Sequence, residues 1–499
     1  MSAVLYENPS LTIFIIDIPT SIALAQNIPR RFSSKSTAGE EPPKNEAPIK
    51  DTLSTQGRAL LSSPPLLNPY PGQPEPKTER ARARVLKQTH ESELAFYRIA
   101  CPLVASALED IREKYSGDWC LQRQILNDEL SSETSQGNSG SGNSFEGGDS
   151  PGPRRDSASN RPLLFGGGEP ELRNPTVSSG HGFEAGEPPL ILSPSINHFS
   201  SFSEIRDTLV KNTSSFPAII QITPTQKAHI TRDSKRRRTY SRDKTKVSNT
   251  QNAYHFPTTR ISFTIPPNSS FILSSIPEAL HNTHSQTSTL TFNFILLDPP
   301  WPNRSVKRSA HYVPEVTLPF LGSLIGNIIK SYLNPKSGIV GIWVTNSAAV
   351  KSTAREAMRD AGLEPFEEWV WVKTTMRGET VFPLDGLWRK PFEVLILGKR
   401  RGKGEGGEGV RYYEPEIKRK VIAAVPDVHS RKPNLKELIG KIFFSTPAPG
   451  TEDEASEGDI GEHKVQEYSG LEVFARNLTA GWTSFGDEVL RFNWDGWWV

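Results

Sequence analysis

Cysteine is nearly absent from this chain. Two among 499 residues, Cys101 and Cys120, exclude a disulfide scaffold and any zinc site built from four thiolates. Long apolar runs are missing too. No stretch reaches the roughly 18 residues that cross a bilayer as a helix, which excludes a membrane-spanning protein of that kind. Nor is there an excess of one charge: 58 Lys and Arg stand against 56 Asp and Glu, so overall charge selects no partner. Apolar residues make up only 35%, below the roughly 45–50% of ordinary globular chains on a count that includes glycine. Proline (41) and glycine (37) are abundant instead. The length would allow about three domains of roughly 150 residues, but the composition predicts a folded part plus long unfolded stretches.

Tryptophan marks the folded part. Nine of the ten lie beyond residue 300, and large aromatics supply much core area, so the packed domain is expected to be mainly C-terminal. Residues 1–75, rich in Ser, Pro and Thr, are expected to be disordered. Their apolar stretch Leu11 to Ile18 (LTIFIIDI) is too short and too acidic for a signal or transit peptide. Arg30-Arg31-Phe32-Ser33-Ser34 resembles a mitochondrial presequence end only slightly. Residues 76–116 form a helical segment: Leu94, Tyr97, Val104, Leu108, Ile111 and Tyr115 recur at three- and four-residue spacings. Pro102 is expected to divide it into two helices. Residues 117–188 read as a low-complexity linker, which holds too few large apolar side chains to offset the entropy of ordering.

Residues 189–290 resume order as an extension of the C-terminal domain. Strands are predicted at 189–192 and 218–222, with a short helix at 205–210 behind a capping box of Ser201 and Glu204. The basic run Lys235-Arg236-Arg237-Arg238 in this extension is either a solvated loop, a nuclear-import signal or a phosphate contact. From 291 onward strand and helix signals alternate, with strands at 292–297, 338–345, 369–373, 392–397, 420–425 and 471–475. The helices between them fall at 319–333, 348–361 and 434–443. That alternation predicts an α/β domain over 291–499, with a largely parallel sheet covered on both faces.

The sharpest feature is Asp298-Pro299-Pro300-Trp301, directly after the strand ending at Leu297. Open α/β sheets bind ligands beyond the carboxyl ends of their strands. A carboxylate only accepts hydrogen bonds, and two prolines remove two N–H donors, which leaves carbonyl oxygens as the main-chain partners there. Asp298 and the Pro299 carbonyl are therefore suited to hold the exocyclic amine of a base, with Trp301 offering a flat face to stack on. A strand ending in a turn, with an aromatic packed over it, is the plainer alternative. The polar, basic loop that follows includes Asn303, Arg304, Lys307 and Arg308 and suits nucleic-acid phosphates.

These residues resemble the adenine-N6 methyltransferases of the MT-A70 family, most closely the branch called methyltransferase-like protein 4. The resemblance rests on LLDPPW at 296–301 with the basic loop after it, IWVTN at 342–346, WVWVK at 369–373 and KPFEVLILG at 390–398. HSRKP at 429–433, LEVFARN at 471–477 and GWTSFG at 481–486 complete it. The blocks keep the family's order over about residues 291–490.

The resemblance implies a Rossmann-like fold binding S-adenosyl-L-methionine, in a permuted order where the catalytic motif precedes the donor-binding strand. No glycine-rich GxGxxG follows an early strand, as that order requires. It implies that Lys390, Arg476, Asn477, Asp487 and Glu488 contact the donor. For Lys390 and Arg476, structural ion pairs are the alternative. Relatives usually carry Asn at the position of Asp487, and a carboxylate there accepts from ribose hydroxyls but cannot donate. Lys432 would contact substrate phosphate or steady the loop over the site, and His429 is a loop histidine rather than a base. The implied partner is adenine-containing DNA or small nuclear RNA, without a metal or a membrane, for a monomer or a chain with a protein partner. Nuclear residence is expected, with cytoplasm as the alternative. A catalytically silent nucleic-acid-binding subunit is a rival reading, although such subunits lose the acid or aromatic that DPPW keeps here. Transfer to cytosine or a protein amide is a further rival that the neighbouring blocks disfavour.

Overall fold

The computed structural model of the chain describes residues 2–27, 59–71, 76, 78–125, 188–223, 260–280, 290–302, 317–387, 389–400, 417–428, 431–447 and 463–499. Its centre is a twelve-stranded sheet. In chain order the strands are β1 (Val4–Glu7), β2 (Ile13–Ile16), β3 (Leu190–Ile191), β4 (Leu209–Lys211), β5 (Ser270–Leu273) and β6 (Phe294–Leu297). Then come β7 (Ile339–Val344), β8 (Leu363–Lys373), β9 (Phe392–Arg400), β10 (Lys418–Ala424), β11 (Gly470–Val473) and β12 (Trp482–Gly486). Across the sheet they run β1-β2-β10-β8-β9-β7-β6-β11-β12-β5-β4-β3. Seven of the eleven neighbouring pairs are parallel. The antiparallel pairs lie on either side of β9 and near the two edges.

Alternation along each strand sends side chains to opposite faces. From β6, Ile295 and Leu297 join one apolar cluster, while Phe294 and Leu296 join the other. The first face is covered by α3 (Glu91–Lys114), α4 (Leu318–Tyr332) and α5 (Ala348–Asp360). The second is covered by α1 (Ile18–Ala25), α6 (Lys436–Phe443) and the C-terminal turns that carry Phe492, Trp497 and Trp498. (The helical segment also holds α2, the ten residues Glu79–Gln88.) The expected α/β domain with both faces covered is what the chain forms. Residues 189–290 do not stand apart from it. They supply β3, β4 and β5, and a three-stranded sheet of 196–199, 218–222 and 261–265 that packs on Ala475, Leu478, Val489 and Leu490.

Several expectations are corrected. Residues 2–27 and 59–71 are not unstructured. The run Leu11 to Ile18 supplies β2, whose Phe14, Ile15 and Ile16 are buried against β10. Its acidic member, Asp17, is the N-cap of α1 and accepts the Thr20 and Leu121 N–H groups at 3.1 and 3.0 Å. Residues 117–125 of the expected linker are structured too, with Trp119, Cys120 and Arg123 buried. The helical segment divides at Thr89-His90 rather than at Pro102, which lies exposed inside α3. A proline there removes one helical hydrogen bond, but the apolar stripe Phe96, Ala100, Val104, Ala107, Leu108 and Ile111 is buried on both sides of it and holds the helix continuous. The helix expected at 205–210 is a single turn at 202–204 followed by β4. Glu204 accepts from the Ser201 N–H at 3.2 Å as the capping box requires, but β4 pairing with β5 claims the chain beyond it.

Candidate active site

Asp298 stands just beyond β6, and β6 lies between β7 and β11 in parallel register, with Leu297 opposite both Ile342 and Val473. The Asp298 N–H donates to the Val473 carbonyl at 3.3 Å. The end of β6 is thereby fastened to the end of β11, the strand preceding Arg476-Asn477, although the two are far apart in sequence. A pocket opens there over the second face of the sheet. Its walls include Asp298, Lys432, Glu472, Arg476, Asn477 and Trp482.

The pocket's electrostatics centre on Asp298, whose side chain is 22% exposed. The Lys432 ammonium sits 2.8 Å from each carboxylate oxygen, and the Arg476 guanidinium lies 3.6 Å from one of them. Lys432 also pairs with Glu393 at 3.5 Å, and Glu393 with Lys373 at 2.6 Å. Burial alone would lower the Lys432 pKa, but Asp298 and Glu393 outweigh it and raise the value above its ordinary one. Burial would likewise raise Glu393, yet Lys432 and Lys373 pull it down to about 2. Arg476 is held from the other side by Glu488 at 3.2 Å, and Glu488 also meets Arg491 at 3.5 Å. Among the polar atoms of the pocket residues that are shielded and have no hydrogen-bond partner among the described residues are Glu472 Oε2 and Asn477 Nδ2.

The predicted site residues divide unevenly. Asp298, Lys432, Arg476 and Asn477 come together in the pocket wall, and Glu488 joins through Arg476. Asp487 is half-buried directly after β12, next to Glu488. Pro299 and Pro300 form the turn, and the Pro299 carbonyl accepts the Trp301 N–H at 2.8 Å, so one of its two lone pairs is already used. Trp301 differs from the expectation of an open stacking face. It is 8% exposed, packs into the first-face cluster, and donates its indole N–H to the Trp343 carbonyl at 2.7 Å. Asp298 has the parity of Phe294 and Leu296 and opens to the second face, whereas the turn drops Trp301 to the first.

Lys390 does not reach the pocket either. Its amine donates to the Leu384 carbonyl at 2.7 Å and lies over the Tyr97 ring of α3. Lys432, expected at substrate phosphate or in a supporting loop, instead occupies the pocket beside the acid. Asn303, Arg304, Lys307, Arg308 and His429 fall outside the described residues.

Two residue groups were not anticipated. Glu472, in the middle of β11, is one; a lone carboxylate in the apolar run LEVF is the signal that could have found it. The other lies behind Lys432. Arg431 and Asp427, both with fully buried side chains, pair at 2.6 Å, and Arg123 donates to the Val425 and Pro426 carbonyls at 2.8 Å each. Arg431 also donates to the Leu61 carbonyl at 2.9 Å and lies over the rings of Phe492 and Trp497. The N-terminal segments thus brace the loop that presents Lys432. The Asp427–Arg431 pair is local, but the Arg123 and Leu61 contacts that complete the group join it from distant parts of the chain and carry no local sequence signature.

Comparison with known proteins follows the same blocks. Residues 292–488 match the family model described as MT-A70. The chain is 36% identical over 246 residues to the N6-methyladenosine RNA methyltransferase MTA1 of Pyricularia oryzae, covering 48% of this chain and 58% of that protein. It is 36% identical over 239 residues to the human N(6)-adenine-specific methyltransferase METTL4, covering 46% and 43%. To the DNA N6-methyl methyltransferase of Caenorhabditis elegans it is 31% identical over 229 residues, covering 45% and 53%. The chain therefore spans about half the length of the curated relatives it matches. The DPPW turn and the LEVFARN strand beside it both lie within the residues, 292–488, that match the MT-A70 model.

Proposed function

We propose that this chain transfers a methyl group from S-adenosyl-L-methionine to the N6 amine of adenine in DNA or RNA. The observation that carries the reading is the convergence of Asp298, Lys432, Arg476, Asn477 and Glu472 in one pocket at the carboxyl ends of β6 and β11. Methyltransferase names among relatives on both polymers support it without choosing between them. The mostly parallel sheet, with the DPPW strand before the LEVFARN strand in sequence and beside it in space, is consistent with a Rossmann-like domain in permuted order.

The pocket fits such a donor. Lys432 and Arg476 put positive charge in the wall, Asn477 Nδ2 is a shielded donor without a partner among the described residues, and Glu472 Oε2 is a shielded oxygen without one there. Glu488 and Asp487 stand where ribose hydroxyls could be held. The bound donor supplies an electrophilic methyl group on a sulfonium. The residues of the chain position the acceptor. Each carboxylate oxygen of Asp298 has a second lone pair free for an amine hydrogen, and the Pro299 carbonyl has one as well. Accepting both hydrogens directs the nitrogen lone pair away from the ring. No strong base is needed before transfer, because the nitrogen becomes acidic once methylated. Positioning and electrostatics then supply the acceleration. A duplex must first release its adenine, since N6 is paired inside the stack. Nuclear residence belongs to the same proposal and is supported by Lys235-Arg236-Arg237-Arg238.

The test uses the full chain, tritiated S-adenosyl-L-methionine and matched DNA and RNA oligonucleotides. Label is expected in N6-methyladenine on one polymer, and Asp298→Asn is expected to lower the rate at least roughly a hundredfold, the scale of removing one aligned polar group at a reacting centre. Donor binding without transfer to either polymer would favour a silent subunit or a missing partner. Label on cytosine or protein would overturn the substrate.

A further inference from the structure

Glu472 lines the pocket, and no particular group of the donor has yet been assigned to it. It sits on β11 between the catalytic strand and β12, in register with Leu296 on one side and Ser484 on the other. The side chain shares the second face with Asp298, and its Oε2 is shielded without a partner among the described residues. The charged groups facing it are Asp298 from the end of β6, Lys432 from the loop before α6, and Arg476 from the end of its own strand. On β12 the facing residue is Ser484, which does not titrate.

The two cations are already committed. Lys432 spans both oxygens of Asp298 and reaches Glu393, and Arg476 lies between Asp298 and Glu488. Glu472 is thus a carboxyl group beside a second carboxylate, in a wall whose positive charges are directed elsewhere. Burial, and then Asp298, push its pKa up to about 8 against the opposing pull of Arg476 and Lys432. A cationic ligand group is the chemistry that would complete this corner, because it would meet an oxygen with a vacant lone pair and relieve the repulsion from Asp298.

We propose that Glu472 is a ligand-binding residue whose Oε2 receives the α-ammonium group of the methyl donor. The inference rests on the proposed function, since it assigns one end of the donor already placed in that pocket. It carries a consequence that the remainder of the site does not. Near neutral pH the empty pocket holds Glu472 as the neutral acid, and an ammonium at Oε2 favours the carboxylate. The O–H bond of Glu472 breaks, the proton leaves to buffer, and the carboxylate accepts a hydrogen bond from the ammonium. Donor binding at pH 7 is therefore accompanied by release of up to one proton.

Titration calorimetry of the full chain at pH 7, in two buffers of different ionisation enthalpy, measures that proton. S-adenosyl-L-homocysteine and 5′-methylthioadenosine are the probes; the second lacks the amino-acid end. The wild-type protein should release close to one proton on binding the first and none on binding the second. Glu472→Gln keeps the shape but cannot ionise. It should bind S-adenosyl-L-homocysteine roughly tenfold more weakly, about the value of one charge contact in a shielded site, with no proton release. Its affinity for 5′-methylthioadenosine should match the wild type, which also shows that the variant is folded. Equal affinity of both proteins for S-adenosyl-L-homocysteine, or no proton release by the wild type, would overturn the assignment. If the variant does not fold, the wild-type proton count decides alone. Failure of the wild type to bind either probe would instead refute the proposed function.

Discussion

Lys432 shows how much one side chain decides in this pocket. It holds the acid of the DPPW motif and the Glu393 carboxylate together; both carboxylates raise the Lys432 pKa, and Lys432 in turn lowers that of Glu393. The folded-state pKa of Glu393 is depressed, to about 2 from an ordinary 4.5. A depressed acid contributes stability that is present above its unfolded value and lost as pH falls through its folded one. Replacing Lys432 with Met leaves Glu393 with Lys373 alone and Asp298 with the more distant Arg476. The variant is expected to lose about 1.5–3 kcal/mol at pH 7, the range for charged hydrogen bonds. The difference from wild type should shrink as pH falls from about 4.5 toward 2. Thermal denaturation of both proteins across that range checks it. A gap that stays constant with pH would show that packing, rather than the ion pairs, carries the loss.

Among the elements, the junction of β11 and β12 is tightly constrained. The two strands run parallel, and directly beyond them the Ala475 N–H donates to the Phe485 carbonyl at 3.0 Å. At Gly486 the backbones come so close that an added Cβ would stand 2.9 Å from the Ala475 oxygen and 3.1 Å from its nitrogen. Both are main-chain atoms and cannot rotate away. Gly486→Ala is expected to cost about 1–3 kcal/mol through overpacking. It should also separate Arg476-Asn477 from Asp487-Glu488, the groups proposed to grip the donor, and so weaken donor binding. Urea denaturation and donor affinity read the two effects, and a variant unchanged in both would contradict the account. The turn after β6 is fixed comparably: the Trp301 indole bonds the Trp343 carbonyl on β7, so this aromatic serves as an anchor for the turn rather than as an open platform.

For the molecule as a whole, the unexpected feature is the dependence of the C-terminal domain on the chain's beginning. β2 extends the sheet beside β10, and Phe14, Ile15, Ile16, Ile18 and Ile22 are buried. From α1, Ala25 accepts the Ala480 N–H at 2.7 Å and Ser21 accepts the Asn434 N–H at 2.9 Å, so both sides of the pocket are braced from residues 21–25. At about 1.5–3 kcal/mol for each large apolar side chain, removing these five approaches a whole domain's stability of about 5–15 kcal/mol. A chain lacking residues 1–27 is therefore expected to be insoluble or unfolded. Expression of that truncation and its circular dichroism test this, and a folded, donor-binding product would refute it.

Local physics explains which parts were legible in advance. The runs at 292–297, 338–345 and 392–397 are apolar enough to be strands buried on both faces, and the motif DPPW announces its chemistry through its own residue types. Asp298, Arg476 and Asn477 line one pocket because each follows the end of a buried strand. Strand β2 could not be recognised the same way. Its four residues have meaning only beside β10, which lies at the other end of the chain. Lys390 looked equivalent to the other basic residues, yet α3, an element outside the matched region, captured it with Tyr97. The sequence by itself determined the α/β class, the position of the acid at a strand's end and the motif on which the proposed function rests, since these follow from periodicity and residue chemistry within short windows. Only the tertiary structure decided that Trp301 is an anchor, that Lys432 neutralises the acid, that Glu472 completes the pocket and that residues 2–27 belong to the sheet. Those are relations between groups distant in sequence, and burial and charge acquire their value only when folding brings such groups together.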